Sequence, residues 1–268
     1  MRKAFLDTTI LVDILLKTDS AGKIAKNAVN GFDETLLPQY AIKEFKRGPL
    51  RAYVWFHNKI LSCGSWVDAI ATIPLLFMQR NLMSTAMQSL VQFQSSISKH
   101  LPADFAQKYP GQTIDDVMRE EGILWLKTRI LLAWSKRSKV ASKVVCPLSC
   151  YSEADPTIEN SGQINLKPVN CDASDCCLRL QFVGSPQETA SLLKACDQLP
   201  SKAETEKRRK ILKDLNRLPN RPLNESGCRS LGDAVFALQC PKDAVILTTN
   251  TVDHGPLARA LGVDAIAP

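Results

Sequence analysis

The sequence contains no run of about 18 uninterrupted apolar residues, the length a helix needs to cross a bilayer. Its first residues, MRKAFLDTT, place Asp7 where a secretory leader would continue its apolar core, so a soluble, cytoplasmic protein with no membrane partner is expected. There is no G-x-S-x-G elbow, no G-x-x-x-x-G-K-[ST] phosphate loop and no H-E-x-x-H pair, which argues against serine hydrolase, P-loop and zincin chemistry. Histidine is scarce: His57, His100 and His254 lack any partner pattern, and each reads as an ordinary core or surface residue. Only His254, directly after Asp253, is placed to reach the acid set described next. Disorder is excluded as the main state, because 45% of the 268 residues are hydrophobic against 23% charged.

What the chain does have is four acids in similar local settings: Asp7, Glu44, Asp233 and Asp253. KAFLD (3–7) is a short apolar run ending in an acid, and Thr8-Thr9 offers a hydroxyl cap for a helix over ILVDILLK (10–17), with Asp13 expected on its surface. TLLP (35–38) leads into YAIKEFKR (40–47), which carries Glu44, and Gly48-Pro49 should interrupt that helix before residue 50 resumes it. Near the other end, SLGDAVFALQ (230–239) reads as a helix with Asp233 near its start. AVILT (244–248) reads as a buried strand, residues 255–261 as a short helix and VDAIA (263–267) as a closing strand. Alternating strands and helices imply a parallel, helix-covered sheet, with ligands beyond the carboxyl ends of its strands. That rim is where the acids should gather.

The span between Glu44 and Asp233 differs in character. Apolar residues recur every three or four positions over 74–97 and again over 114–132, the second stretch preceded by a Thr113 to Asp116 capping-box pattern, so both read as amphipathic helices whose Met and aromatic stripes are core. Ser185-Pro186 starts a further helix to about residue 199, and a basic helix over about 203–218 leads back to the strand-rich end. The expected organisation is a core of residues 1–60 and 205–268 with a largely helical insertion at 61–204.

The formal charge of +7 is concentrated in two segments. Six basic residues and no acid lie between Lys127 and Lys143, Lys136 and Arg137 among them; eight basic residues lie between Lys202 and Arg221, with Lys207, Arg208, Arg209 and Lys210 consecutive. Either segment alone could be a solvated helix face, but beside a metal-type acid set both are candidate nucleic-acid contacts. Within the insertion, five of the nine cysteines fall in 32 residues: Cys146, Cys150, Cys171, Cys176 and Cys177. Short-spaced thiolates can close a structural zinc site, here through Cys146, Cys150, Cys171 and Cys176 or Cys177, yet the spacing lacks paired C-x2-C knuckles. Reduced free thiols are the alternative reading.

FLDTTILVDILL, LPQYAIKEF, SLGDAVFAL and AVILTTNTVDHGPLARALGV together resemble the successive motifs of the PIN-domain nucleases, the family that includes toxin ribonucleases of bacterial toxin–antitoxin pairs. The resemblance covers roughly residues 1–60 and 205–268. It implies a three-layer α/β/α sandwich around a parallel sheet, in which acids bind Mg²⁺ or Mn²⁺ and hydrolyse a phosphodiester, usually in RNA. Carried over, Asp7 matches the acid ending the first strand, Glu44 the helix glutamate and Asp233 the acid of the D-A-x-x-A-type helix. At the fourth position Asn250 stands where many relatives have aspartate, so Asp253 is the expected fourth acid with Asn250 alternative or supporting, and Thr9 matches a small polar residue that supports the metal or its water. The implied activity is that of an endoribonuclease, with DNA still open as substrate, and with an antitoxin-like or other protein partner and self-association left open. A catalytically inactive PIN-fold module that binds RNA or protein is the alternative.

Overall fold

The computed structural model describes residues 1–76, 80–97, 105–151, 154–167, 176–220 and 222–268. A five-stranded, wholly parallel sheet forms the centre, in the order β3-β2-β1-β6-β7: β1 is Lys3–Leu6, β2 Glu34–Pro38, β3 Lys143–Val145, β6 Ala244–Leu247 and β7 Ala265–Ile266. Between β3 and β6 in the chain, Thr157–Ile158 (β4) and Ile164–Asn165 (β5) make a small separate antiparallel pair. The sheet's interior is apolar on both faces, as a helix-covered parallel sheet requires: Ala4, Phe5 and Leu6 are fully buried, with Leu37 and Ile246 beside them. Asp7, immediately beyond Leu6, is thereby delivered at the carboxyl end of the central strand.

Helices directly follow β1, β2 and β6. Thr8–Leu16 (α1), Ser20–Asn30 (α2), Gln39–Phe45 (α3), Arg51–Ser62 (α4), Trp66–Ala71 (α5), Arg80–Ile97 (α6), Phe105–Lys108 (α7) and Ile114–Lys136 (α8) come from the first half of the chain. Cys177–Gly184 (α9), Pro186–Ala195 (α10), Ala203–Arg217 (α11), Glu225–Gln239 (α12) and Thr251–Ala260 (α13) come from the second. The capping box before α8 forms as expected, Thr113 and Asp116 exchanging side-chain bonds to each other's backbone. Val117, Leu126, Ile130 and Trp134 of α8 are buried, and Ala86, Leu90 and Phe93 of α6 likewise, whereas Met87, Val91, Ile114, Leu124 and Leu132 stay exposed. Among the described residues no helix is long and apolar enough to cross a membrane.

Four local expectations change. Thr8 and Thr9 do not cap α1: Asp7 does, its Oδ1 accepting from the Thr8 N–H at 2.6 Å, which frees both threonine hydroxyls for other work. Gly48-Pro49 does not break the chain direction; residues Lys46–Leu50 form a π-helical turn joining α3 to α4, a wider ring that absorbs the donor proline lacks. Asp13 is buried, its charge met by Lys17 one turn on at 2.6 Å. The sheet also draws its edge strand β3 from within 61–204, against β2. Three residues long and largely exposed, β3 left no apolar run to read.

Candidate active site

The strand order places β1 between β2 and β6, so successive connections leave β1 on opposite sides and a crevice opens at the carboxyl ends of β1 and β6. The Asp7 N–H donates to the Leu247 carbonyl across that switch point at 3.1 Å. Asp7 is 3% exposed and held from several directions: Thr9 Oγ1 and Thr248 Oγ1 each donate to its Oδ2 at 2.7 Å. The Thr249 N–H in turn donates to Thr9 Oγ1 at 3.1 Å, and the Asn250 N–H to Thr248 Oγ1 at 2.9 Å. These hydrogen-bond donors are all neutral and orient the carboxylate; the group nearest to pairing with it is His254, whose Nε2 lies 3.5 Å from Oδ2.

Glu44 reaches the same place from α3. Thr8 Oγ1 donates to its Oε2 at 2.8 Å, and a methyl group on Gly232 would lie 3.4 Å from its Oε1. Gly232 is also where α12 bends, with φ 6° and ψ −91° inside an otherwise helical run. Two helical runs therefore meet at Gly232 within α12, the first capped by Asn224, and Asp233 opens the second, near a helix start as expected. The bend and the missing side chain let α12 bring Asp233 toward Glu44. Burial pushes the Glu44 carboxyl up to about 7, with the charges of Asp7 and Asp233 adding to it and the Thr8 hydroxyl opposing. Three carboxylates thus share a region too poor in positive charge to ionise all of them freely.

Asp233 is the exception that does find cations. Burial would raise it, but the His254 hydrogen bond and charge and the Arg208 guanidinium hold it at about 2. His254 Nε2 lies 3.2 Å from Asp233 Oδ1 and 3.5 Å from Asp7 Oδ2, while Arg208 Nη2 contacts Asp233 Oδ2. His254 is 1% exposed, and Phe236 packs edge-on against its ring at 5.5 Å between centroids. Although burial acts against its charged form, the bond to Asp233 and the negative field of Asp7, Asp233 and Glu44 raise the His254 pKa above its ordinary value. Phe236 also touches Phe5 and Tyr40, tying the site floor to the core.

Asp253 stands apart from this group. It lies in the first turn of α13, where its Oδ2 accepts from Asn250 Nδ2 at 3.1 Å and its Oδ1 faces Lys202 Nζ at 3.4 Å. Asp7, Glu44 and Asp233 are therefore brought together with Thr9 in support, whereas Asp253 and Asn250 bind one another. Sequence reasoning missed Thr248 and the roles of Thr8 and His254, and it named Arg208 as a nucleic-acid contact without its inward turn onto Asp233. The Thr-Thr doublets following Asp7 and preceding Asn250 were the available signal for the hydroxyls.

The basic and thiol residues separate by environment. Lys207, Arg209 and Lys210 are exposed on α11, with Arg209 paired to Asp197 at 2.8 Å, but Arg208 is turned inward. Lys136 is exposed, and Arg137 stacks on the Trp134 ring at 3.7 Å. Cys171 lies outside the described residues. Cys150 Sγ is 3.4 Å from the buried ammonium of Lys43, Cys146 approaches the Gln239 carbonyl at 4.0 Å, Cys176 is buried, and Cys177 faces Ser149 and Cys150.

The donor set Asp7, Glu44 and Asp233 fits a hard divalent cation in kind: carboxylate oxygens, with the Glu44 carboxyl raised to about 7 chiefly by burial. As they stand, no three His, Cys, Asp or Glu side chains among the described residues are disposed to hold one ion, because Asp233 engages His254 and Arg208 instead. No family model matches the chain, and no curated protein or solved structure is significantly similar to it.

Proposed function

We propose that this chain is a PIN-type, Mg²⁺- or Mn²⁺-dependent phosphodiesterase, acting as an endoribonuclease. The observation that carries the reading is the convergence of Asp7, Glu44 and Asp233, from three distant segments, at the topological switch point of a parallel sheet, where burial first and the charges of Asp7 and Asp233 second raise Glu44 to about 7. A divalent cation bound among these carboxylates would supply a polarised, acidified water and screen the charge of the phosphate under attack. The chain's own contribution is orientation. Thr8, Thr9 and Thr248 aim Asp7 and Glu44 at fixed angles, so entry of the cation requires rearrangement chiefly at Asp233. The exposed Lys207 and Lys210 help to line a groove of about 290 Å³ between α11 and α12, and Ser230, on the helix that carries Asp233, lines it too, so the two lysines would be available to a phosphate backbone there.

One observation favours the alternative of a non-catalytic RNA- or protein-binding module: Asp233 and Asp253 already hold protein cations, Arg208 and His254 on the first and Lys202 on the second. Cleavage of labelled RNA and DNA by purified protein, with Mn²⁺ or with EDTA, decides between them. The nuclease reading expects Mn²⁺-dependent cleavage that Asp7→Asn and Asp233→Asn remove. Binding without cleavage in every metal condition establishes the module instead.

A further inference from the structure

Lys207, Arg208, Arg209 and Lys210 form the most basic run of the chain, and of the four only Arg208 is buried, at 7% exposure. Its guanidinium spans from α11 to α12: Nε donates to the Ser230 carbonyl at 3.2 Å and Nη2 to Asp233 Oδ2. With His254 Nε2 on Oδ1, both oxygens of Asp233 are occupied by groups of this chain. A carboxylate so engaged offers a metal ion only its remaining lone pairs, in competition with two cationic groups of the chain. Opening it releases a guanidinium whose surroundings exclude water, and a buried charge deprived of its partner is strongly destabilising. That guanidinium therefore needs another anion nearby, and Ser230, whose carbonyl holds it, also lines the groove flanked by Lys207 and Lys210.

We propose that Arg208 exchanges partners. It binds the Asp233 carboxylate while the acid cluster lacks a cation, and it binds a phosphodiester oxygen of the substrate once the cation has taken Asp233. Arginine suits the exchange, because its planar fork matches carboxylate and phosphate alike and stays charged throughout. The inference rests on the phosphodiesterase reading. It makes substrate and metal mutually supportive: each relieves the electrostatic cost that the other creates.

The test is a pair of measurements on the full chain. Mn²⁺ affinity is measured by calorimetry for wild type, Arg208→Gln, Arg208→Lys and Asp7→Asn. The salt dependence of binding to a fluorescent single-stranded RNA is followed by anisotropy, with Ca²⁺ replacing Mn²⁺. Arg208→Gln is expected to bind Mn²⁺ about tenfold more tightly, one charge-assisted contact having been removed from the competition. The same variant should bind RNA more weakly, with a log–log salt slope shallower by about 0.7, the loss of one phosphate contact on a single strand. These shifts have opposite signs, whereas a merely structural role would weaken both ligands. Arg208→Lys keeps the charge and should keep the slope; if Arg208→Gln does not fold, Arg208→Lys carries the Mn²⁺ comparison through the loss of the fork.

Unchanged or weaker Mn²⁺ binding in Arg208→Gln, or an unchanged RNA salt slope, overturns the exchange. If Asp7→Asn abolishes Mn²⁺ binding while Arg208→Gln leaves it at the wild-type value, the metal site stands and only the exchange falls. If neither wild type nor Arg208→Gln binds Mn²⁺, both fall together.

Discussion

The two halves of the acid cluster are built on different principles. On the β1 side, Asp7 and Glu44 are held by the hydroxyls of Thr8, Thr9 and Thr248 and by one backbone N–H, all neutral. On the α11 to α13 side, Asp233 and Asp253 are met by Arg208, His254 and Lys202, all cations or able to become so. The neutral side fixes direction and leaves most of its charge uncompensated, only His254 approaching Asp7 at 3.5 Å, which is what a site awaiting a cation needs. The charged side compensates, which stabilises the empty protein and sets a competition for any ion that enters. The contrast teaches that close spacing of acids is not enough to define a metal site; what holds each acid decides how available it is.

Breaking the neutral side should have the largest effect. Asp7→Asn keeps the size of the side chain but turns one accepting oxygen into a donor, and should lower metal-dependent cleavage by about a thousandfold or more, read as initial rate on labelled RNA. Glu44→Gln separates charge from shape. Below about pH 7 the folded chain keeps a proton on Glu44 that the unfolded chain releases near 4.5, so this group makes stability fall as pH rises through that window. Without metal, Glu44→Gln should therefore flatten the decline between pH 4.5 and 7 and melt a few degrees, about 2–4 °C, above wild type at pH 8, measured by circular dichroism in EDTA. A variant that melts below wild type at pH 8 would show that Glu44 is compensated by something other than its proton.

Thr248→Val tests orientation alone. It removes the Thr248 bond to Asp7 Oδ2 while Thr9 retains its own, and should cost about 1–2 kcal/mol of stability with a comparable loss in turnover, measured by urea unfolding and by rate. The smallest effect belongs to the charged rim. Lys202 is half exposed and 3.4 Å from Asp253, so Lys202→Met should change stability by less than about 1 kcal/mol and cleavage by no more than about twofold. A large loss there would move Asp253 into the working site.

The parallel sheet was readable because its strands are short apolar runs ending at acids or turn residues, as in KAFLD and AVILT. Asp7, Glu44 and Asp233 could be singled out for the same reason: each follows a strand or lies within a helix whose neighbours fix its end of the sheet. The hydroxyl partners could not be read in full, since Thr248 meets Asp7 only through the β1–β6 register, in which Leu6 pairs with Leu247. Arg208 was legible as charge but not as direction; a run of four basic residues on a helix must turn one inward, and packing of α11 on α12 selects which. Asp253 shows the limit from the other side. Its proximity to Asn250 in sequence suggested a shared ligand position, but α13 starts at Thr251, and the first turn folds the two side chains onto one another.

The central claim is that Asp7, Glu44 and Asp233 together hold one divalent cation. Crystals soaked in Mn²⁺ test it most directly through anomalous scattering. The account predicts a single strong peak bounded by these three carboxylates, with Arg208 withdrawn from Asp233. Saturating Mn²⁺ with no peak there, or a peak held by residues elsewhere while Arg208 and His254 keep Asp233, would contradict it.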